Sequence, residues 1–157
     1  MSKKLFLLCG VPGSGKSTWA KSQVDKHGGI VCSRDAVRFS IIKDNEEYFS
    51  HEDEVFEQWI EKINFCISCD CFDNIYVDAT HISRKSRQKT LSHLDLEDVD
   101  IIPVWFNISP KTCLERNDNR TGRAFVPKSV IRRMGETIEP PSHSEIFKYK
   151  DIIEVKE

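Results

Sequence analysis

Apolar residues in this chain follow two rhythms, short unbroken runs and stripes at helical spacing, and the two alternate. "KLFLLCG" (Lys4 to Gly10) is a continuous apolar run, as expected of a strand buried on both faces. A glycine-rich loop follows, and "KSTWAKSQVDKHGG" reads as a helix stopped by Gly28 and Gly29. "IVCS" predicts a second short strand, and "AVRFSII" reads as helical. In "HEDEVFEQWIEKINFCISCDCF", Val55, Phe56, Trp59, Ile60, Ile63 and Ile67 recur at helical spacing. "NIYVDAT" predicts a third strand, and a basic helix begins near Ser83. "VDIIPVWFNIS" predicts a fourth strand, broken or bent near Pro103. Ser109-Pro110 opens another helix, since proline suits a first turn, and Pro127 opens one more. "DIIEVK" predicts a last strand.

Strands alternating with helices imply an α/β fold, a parallel sheet of about five strands with helices on both faces. Residues 1–157 are expected to form a single domain, long enough to bury about two-thirds of its unfolded surface. Ligands of such sheets bind at the carboxyl ends of the strands. Four chemistry-bearing segments leave those ends: the Gly10 loop, Ser33-Arg34-Asp35, Asp78-Ala79-Thr80 and the Asn107 turn.

Charge modifies this picture more than composition does. The formal net charge is only −2, yet it is unevenly spread. Asp44 to Glu57 holds seven acids and no Lys or Arg, read here as a solvated helix face. Lys111 to Arg133 holds seven bases against two acids, as a protein that handles phosphate requires. No apolar run approaches the roughly 18 residues of a membrane span. The start "MSKKLFLLCG" has a basic and an apolar part like a leader, but cleavage there would destroy the glycine-rich loop, so a cytoplasmic protein is expected. Six cysteines in such a chain imply reduced thiols. "CISCDC" lacks a second pair of ligands, so packed free thiols are expected there in preference to a structural metal.

"GVPGSGKS" satisfies G-x4-G-K-[ST] between a predicted strand and a predicted helix, the context that gives the motif its meaning. From Gly10 through Val11, Pro12, Gly13, Ser14 and Gly15, backbone N–H groups can turn inward at the start of a helix and hold anionic phosphates. Lys16 is expected to reach the β- and γ-phosphates of ATP, and the Ser17 hydroxyl to ligate Mg²⁺, with Thr18 as a supporting hydroxyl. Asp78, at the end of "IYVD", is the candidate carboxylate behind the metal and its water; the alternative is a strand-terminal cap for the next turn, and Thr80 carries a similar ambiguity.

The acceptor must be sought elsewhere in the chain. Asp35, after the second strand, can take a hydroxyl proton, and Arg38, three residues on, faces the same way if a helix starts there. Arg34, Asp35, Arg38, Asp78 and Thr80 are therefore the expected substrate-side residues. Arg116, Arg120 and Arg123 follow at i, i+4 and i+7; Arg116 and Arg120 are expected on the donor phosphates, and Arg120 is the favoured arginine finger. A nucleotide switch without an acceptor would need no carboxylate after strand two, so the Asp35–Arg38 pair argues for transfer.

Taken together, "GVPGSGKSTWA", "SRDAVR", "VDAT", "ERNDNRTGRAFVP" and "VIRRM" resemble the kinase domain of phage-type polynucleotide 5′-hydroxyl kinases, from about Lys4 to about Met134. The resemblance implies a P-loop NTPase kinase fold, ATP and Mg²⁺ as cofactors, and DNA or RNA 5′-hydroxyl ends as partners. It implies Asp35 as general base, Arg38 on a phosphate of the acceptor, Arg120 on the donor phosphates and Asp78 in support. The pattern departs in places: no D-x-D-G-T phosphatase motif is present, and Ala36 stands where the phage enzyme has a second acid. The tail "EPPSHSEIFKYKDIIEV" is similar to the ending of small P-loop kinases at large, some of which phosphorylate nucleosides, sugars or antibiotics, so a small-molecule acceptor is the alternative.

Overall fold

The computed structural model describes residues 2–120 and 126–157. Its strands are β1 (Lys3–Cys9), β2 (Ile30–Ser33), β3 (Asn74–Asp78), β4 (Val99–Asn107) and β5 (Ile153–Lys156). Between them run α1 (Lys16–His27), α2 (Arg34–Ile41), α3 (Glu52–Ser68), α4 (Arg84–Ser92), α5 (Pro110–Asp118) and α6 (Lys128–Thr137). The strands form one parallel sheet in the order β2-β3-β1-β4-β5. β1 is central, and Leu5, Leu7 and Leu8 are fully buried, as its unbroken apolar run requires.

Each face of the sheet has its own apolar layer. On one, Trp59, Ile63 and Ile67 of α3 pack on Leu5, Leu7, Ile75 and Val77. On the other, Ala20 and Trp19 of α1 pack on Leu8, Tyr76 and Phe106, with the Trp19 ring edge-on to Phe6, Tyr76 and Phe106. Trp59 also donates its indole N–H to the Cys32 carbonyl at 2.9 Å, which ties α3 to β2.

Local chemistry sets the boundaries. Ser33 accepts from the Ala36 N–H and Ser109 from the Thr112 N–H, so both serines cap helices. The Ser33 cap starts α2 at Arg34, two residues earlier than apolar spacing indicated. Gly28, at φ 74°, turns the chain out of α1 and donates to the Val24 carbonyl.

Two expectations are corrected. β4 runs unbroken through Pro103, which pairs in register with Leu7. The Ile101 carbonyl accepts from Lys150 on the β5 side, and Pro103, two residues on, points the same way. Its missing N–H therefore faces the edge where β5 pairing begins only at Val104, and no bond to β1 is lost. The second correction concerns "CISCDC". Cys69 and Cys71 are joined by a disulfide beyond the end of α3, whereas Cys66 is buried with its sulfur 3.9 Å from that of Cys32. Packed free thiols thus describe Cys66 and Cys32 but not the other two, and among the described residues no group of three or more His, Cys, Asp or Glu could hold a metal ion.

The stretch between α6 and β5 is latched to α4. Arg87, fully buried, donates to both carboxylate oxygens of Glu145 at 3.0 and 2.8 Å. Glu145 also accepts from the Tyr149 hydroxyl and the Ser142 N–H. Among the described residues no helix is long and apolar enough to cross a membrane.

Candidate active site

Strand register brings the chemistry to one level. Ser33 of β2 lies opposite Asp78 of β3, and Asp78 opposite Leu8 of β1, so three strands end side by side. The glycine-rich loop leaves β1 there, α2 leaves β2, and the Ala79-Thr80-His81 turn leaves β3. A cavity of about 220 Å³ opens between them, lined by Lys16, Ser17, Arg34, Asp35, Arg38, Asp78, Thr80 and Arg120 among others. The residues expected on the acceptor side therefore share one space with the key lysine of the loop and the favoured arginine.

The loop is fitted for phosphate. Gly13 and Gly15 have φ of 85° and 94°, a region that side chains rarely enter. A Cβ on Gly13 would lie 2.5 Å from the Cys113 carbonyl oxygen, so α5 presses directly on the loop. Gly10 donates its N–H to the Thr80 carbonyl at 2.8 Å, joining the loop to the turn after β3. The Ser14 hydroxyl is buried and has no hydrogen-bond partner among the described residues, an orphan that an anion in the loop would satisfy. Val11 packs with Cys113 and Ile131, so α5 and α6 close over the loop's outer side. Pro12 lines the cavity, whereas Thr18 is exposed at the start of α1.

Lys16 is buried and donates to the Val11 carbonyl at 3.1 Å. Burial lowers its ammonium from the ordinary lysine range, and the carboxylates of Asp78 and Asp35 oppose that shift. Asp78 mirrors it: burial raises its carboxyl, while Lys16 and the Ser17 hydroxyl hold it back. Ser17 donates to Asp78 Oδ2 at 2.7 Å. One hydroxyl and one carboxylate make no closed metal cage. They suit a cation that keeps waters and takes phosphate oxygens as its other ligands, which is how Mg²⁺ is bound.

Around Asp35 the structure shows more than the sequence offered. The exposed Asp35 carboxylate accepts from Arg38 Nη1 and from the Tyr48 hydroxyl, both on Oδ1. The Arg38 side chain is only 5% exposed and forks onto Glu52, with Nε 2.8 Å from Oε1 and Nη2 3.1 Å from Oε2. Arg34 Nη2 reaches the same Glu52 Oε2 at 3.0 Å. The acidic run is thus not a purely solvated face. Glu52, at the start of α3, anchors both arginines of α2, and neither Glu52 nor Tyr48 had been singled out.

The basic run divides. Arg120 lines the cavity, and Arg116 Nη1 donates to the Gly13 carbonyl at 3.2 Å on the outside of the loop. Arg132 and Arg133 are exposed, and Arg123 lies outside the described residues. Asn117, fully buried, donates to the Val126 carbonyl at 2.6 Å and accepts its N–H at 3.0 Å. It fastens Val126, just before α6, to α5, which explains an asparagine inside "RNDNR".

His81 completes the floor. It has φ 41°, and its ring nitrogens face the Leu8 carbonyl at 3.0 Å and the Thr90 hydroxyl at 2.9 Å. Burial pushes its pKa down to about 3, so the ring is neutral. Arg87 donates to the His81 carbonyl at 2.8 Å, and so carries the Glu145 latch to the turn after Asp78.

Comparisons with known proteins agree with this geometry. A family model described as AAA domain matches residues 5–141. A putative bifunctional polynucleotide kinase/RNA ligase of Autographa californica nuclear polyhedrosis virus is 26% identical over 146 residues, covering 84% of this chain but 20% of that protein. This chain therefore spans about a fifth of that relative's length. Among solved structures, the Pnkp1/Rnl/Hen1 RNA repair complex aligns at 26% identity and TM-score 0.73 over 87% of this chain and 44% of the other. A gluconokinase from Sinorhizobium meliloti 1021 aligns at 21% identity and TM-score 0.63, over 98% and 82%, and shares the fold. With its phosphate loop, its parallel sheet and a family match over most of its length, this chain belongs to the AAA domain family, as a P-loop domain of the kinase type.

Proposed function

We propose that the chain transfers the γ-phosphate of ATP to the 5′-hydroxyl of a DNA or RNA end. One observation carries the reading: Asp35, braced by Arg38, shares a cavity with Lys16 and Arg120, so a base stands where an acceptor alcohol could meet the donor phosphate. The viral relative and the RNA repair complex, both named for polynucleotide or RNA work, support the nucleic-acid acceptor.

In this reading Lys16 leaves the Val11 carbonyl and holds the β- and γ-phosphate oxygens. Ser17 and Asp78 would hold Mg²⁺, which neutralises phosphate charge when bound. Asp35 takes the proton of the acceptor hydroxyl as its oxygen bonds to the γ-phosphorus. The bond from that phosphorus to the bridging oxygen breaks, and ADP leaves with the electron pair. Arg120 complements the charge spread over the transferring group.

The second reading, a kinase for a nucleoside or another small alcohol, also has an observation in its favour. Arg38, expected to grip an acceptor phosphate, has its donors on Glu52, Asp35 and Tyr48. Among the described residues these bonds use four of the five guanidinium N–H groups, so a phosphate finds one N–H on Nη2 and gains a second only by displacing a partner. Labelled ATP with a 5′-hydroxyl oligonucleotide, a nucleoside 3′-monophosphate, the nucleoside and gluconate separates the readings. Polynucleotide kinase activity requires the first two to be good acceptors and the others poor. Equal use of nucleoside and 3′-monophosphate would promote the small-molecule reading.

A further inference from the structure

We infer that Phe49 is a stacking platform for the acceptor's terminal nucleobase, one that holds the base without reading its identity. The inference rests on the acceptor reading above and adds a subsite to it.

Phe49 is 56% exposed, one of few large apolar side chains so placed, yet it lines the cavity that holds Asp35 and Lys16. Its position is fixed through the base. The Tyr48 ring meets Phe49 edge-on at 4.6 Å, and the Tyr48 hydroxyl is bonded to Asp35. The Arg38 guanidinium lies over the Phe49 ring, its carbon 5.6 Å from the ring centre, so a base would stack on the remaining exposed surface. The aromatic face thus stands beside the carboxylate that would receive the 5′-hydroxyl, within the span of one nucleoside.

The neighbouring aromatic shows why Phe49 is the platform. Phe56 also lines the cavity, but Arg34 and Lys89 sit over its ring at 5.4 and 4.7 Å. It works as a cation–π brace between α2 and α4. Among the described residues Phe49 carries one cation over its ring, Arg38, where Phe56 carries two, and at 56% exposed it keeps surface for a flat ligand. A phenyl ring offers no hydrogen bond, so it suits the π-face that every base has and gives a sugar hydroxyl nothing. Tolerance of base sequence follows from the same chemistry.

The test compares wild type, Phe49→Ala and Phe49→Trp on five acceptors: a 5′-hydroxyl oligonucleotide, the same strand with an abasic 5′-terminal residue, a free nucleoside, free ribose and gluconate. The platform requires wild type to use the abasic strand about tenfold less well, through KM, and to accept all four terminal bases within a few fold. Phe49→Ala should raise KM for the intact strand about tenfold and nearly abolish its advantage over the abasic one, with KM for ATP unmoved. Phe49→Trp should keep the advantage. If wild type uses intact and abasic strands equally, or Phe49→Ala harms both alike, the platform is wrong and polynucleotide phosphorylation stands. If only the nucleoside is phosphorylated and free ribose is not, with Phe49→Ala raising the nucleoside KM, the platform stands and the polynucleotide reading falls. Phosphorylation of gluconate alone overturns both.

Discussion

Tyr48 donates its hydroxyl to Asp35 Oδ1, the same oxygen that accepts from Arg38. Among the described residues Oδ2 takes no hydrogen bond, so in the proposed mechanism it is the oxygen left to accept a proton from a substrate. Asp35→Asn should therefore cut transfer by about 10²–10⁴-fold, the usual worth of a general base, while ATP affinity stays within a few fold. Single-turnover transfer and ATP titration check this together. Collapse of ATP binding with the acceptor KM unchanged would move Asp35 to the metal site.

Lys16 is buried beside the loop with one backbone partner among the described residues, and in the proposed mechanism its ammonium serves the donor phosphates. Lys16→Ala should lower turnover by about 10²–10³-fold or more and leave the melting temperature nearly intact. Near-normal turnover would end the phosphate-loop mechanism.

Arg120 reaches the cavity from beyond the end of α5. In the proposed mechanism its guanidinium complements charge that develops during transfer, so Arg120→Ala should reduce kcat more than it weakens ATP binding. Arg120→Lys should rescue only partly, since an ammonium cannot reproduce the guanidinium fork. Steady-state kinetics on both variants decide it; an unaffected alanine variant returns Arg120 to the surface.

Glu52 receives bonds from Arg34 and from Nε and Nη2 of Arg38. Glu52→Ala leaves the buried Arg38 fork half satisfied, at a cost of about 1–3 kcal/mol, tempered because Glu52 is itself partly exposed. Denaturant melts should show that loss, and transfer should fall further than stability accounts for, because Arg38 braces Asp35. Wild-type turnover by a stably folded variant would deny the brace.

Neutral His81 gives the fold an acid limit. The folded ring stays unprotonated down to about 3, whereas the unfolded chain binds a proton below the ordinary 6.5. Its contribution is complete above pH 6.5 and is lost as pH falls toward 3. His81→Asn keeps a donor and tolerates the positive φ. Between pH 6.5 and 4.5 the wild type should lose about 2 kcal/mol more than the variant. Parallel pH profiles from urea melts would show that the His81 proton does not govern acid stability.

Much of this was legible in the sequence because it is local. The unbroken run of β1, the loop spacing, the Ser109-Pro110 start and the Gly28 stop each act within a few residues. Asp35 and Arg38 were legible as a pair three residues apart on one helix. Glu52 and Tyr48 were not, since their partners lie 14 and 13 residues away, across a turn whose path periodicity does not reveal. An acidic helix start looks the same whether water or two guanidiniums face it. Pro103 misled for a related reason: a proline interrupts a strand only on the side to which its N–H would point, and strand order decides that side.

The Arg87–Glu145 pair has a bearing on how this domain can evolve. Either residue changed alone leaves its partner's charge buried and unmatched, a loss of roughly 3–5 kcal/mol out of the 5–15 that hold a domain together. Replacing both with apolar groups of similar bulk removes the buried charges but takes a partner from the Tyr149 hydroxyl, the Ser142 N–H and the His81 carbonyl, so an apolar solution must satisfy these groups as well. The two positions lie 58 residues apart, and the valley between the charged and apolar solutions makes drift by single steps prohibitive. In descendants of this chain they should change as a couple or stay fixed, with the turn after Asp78 inheriting whichever solution prevails.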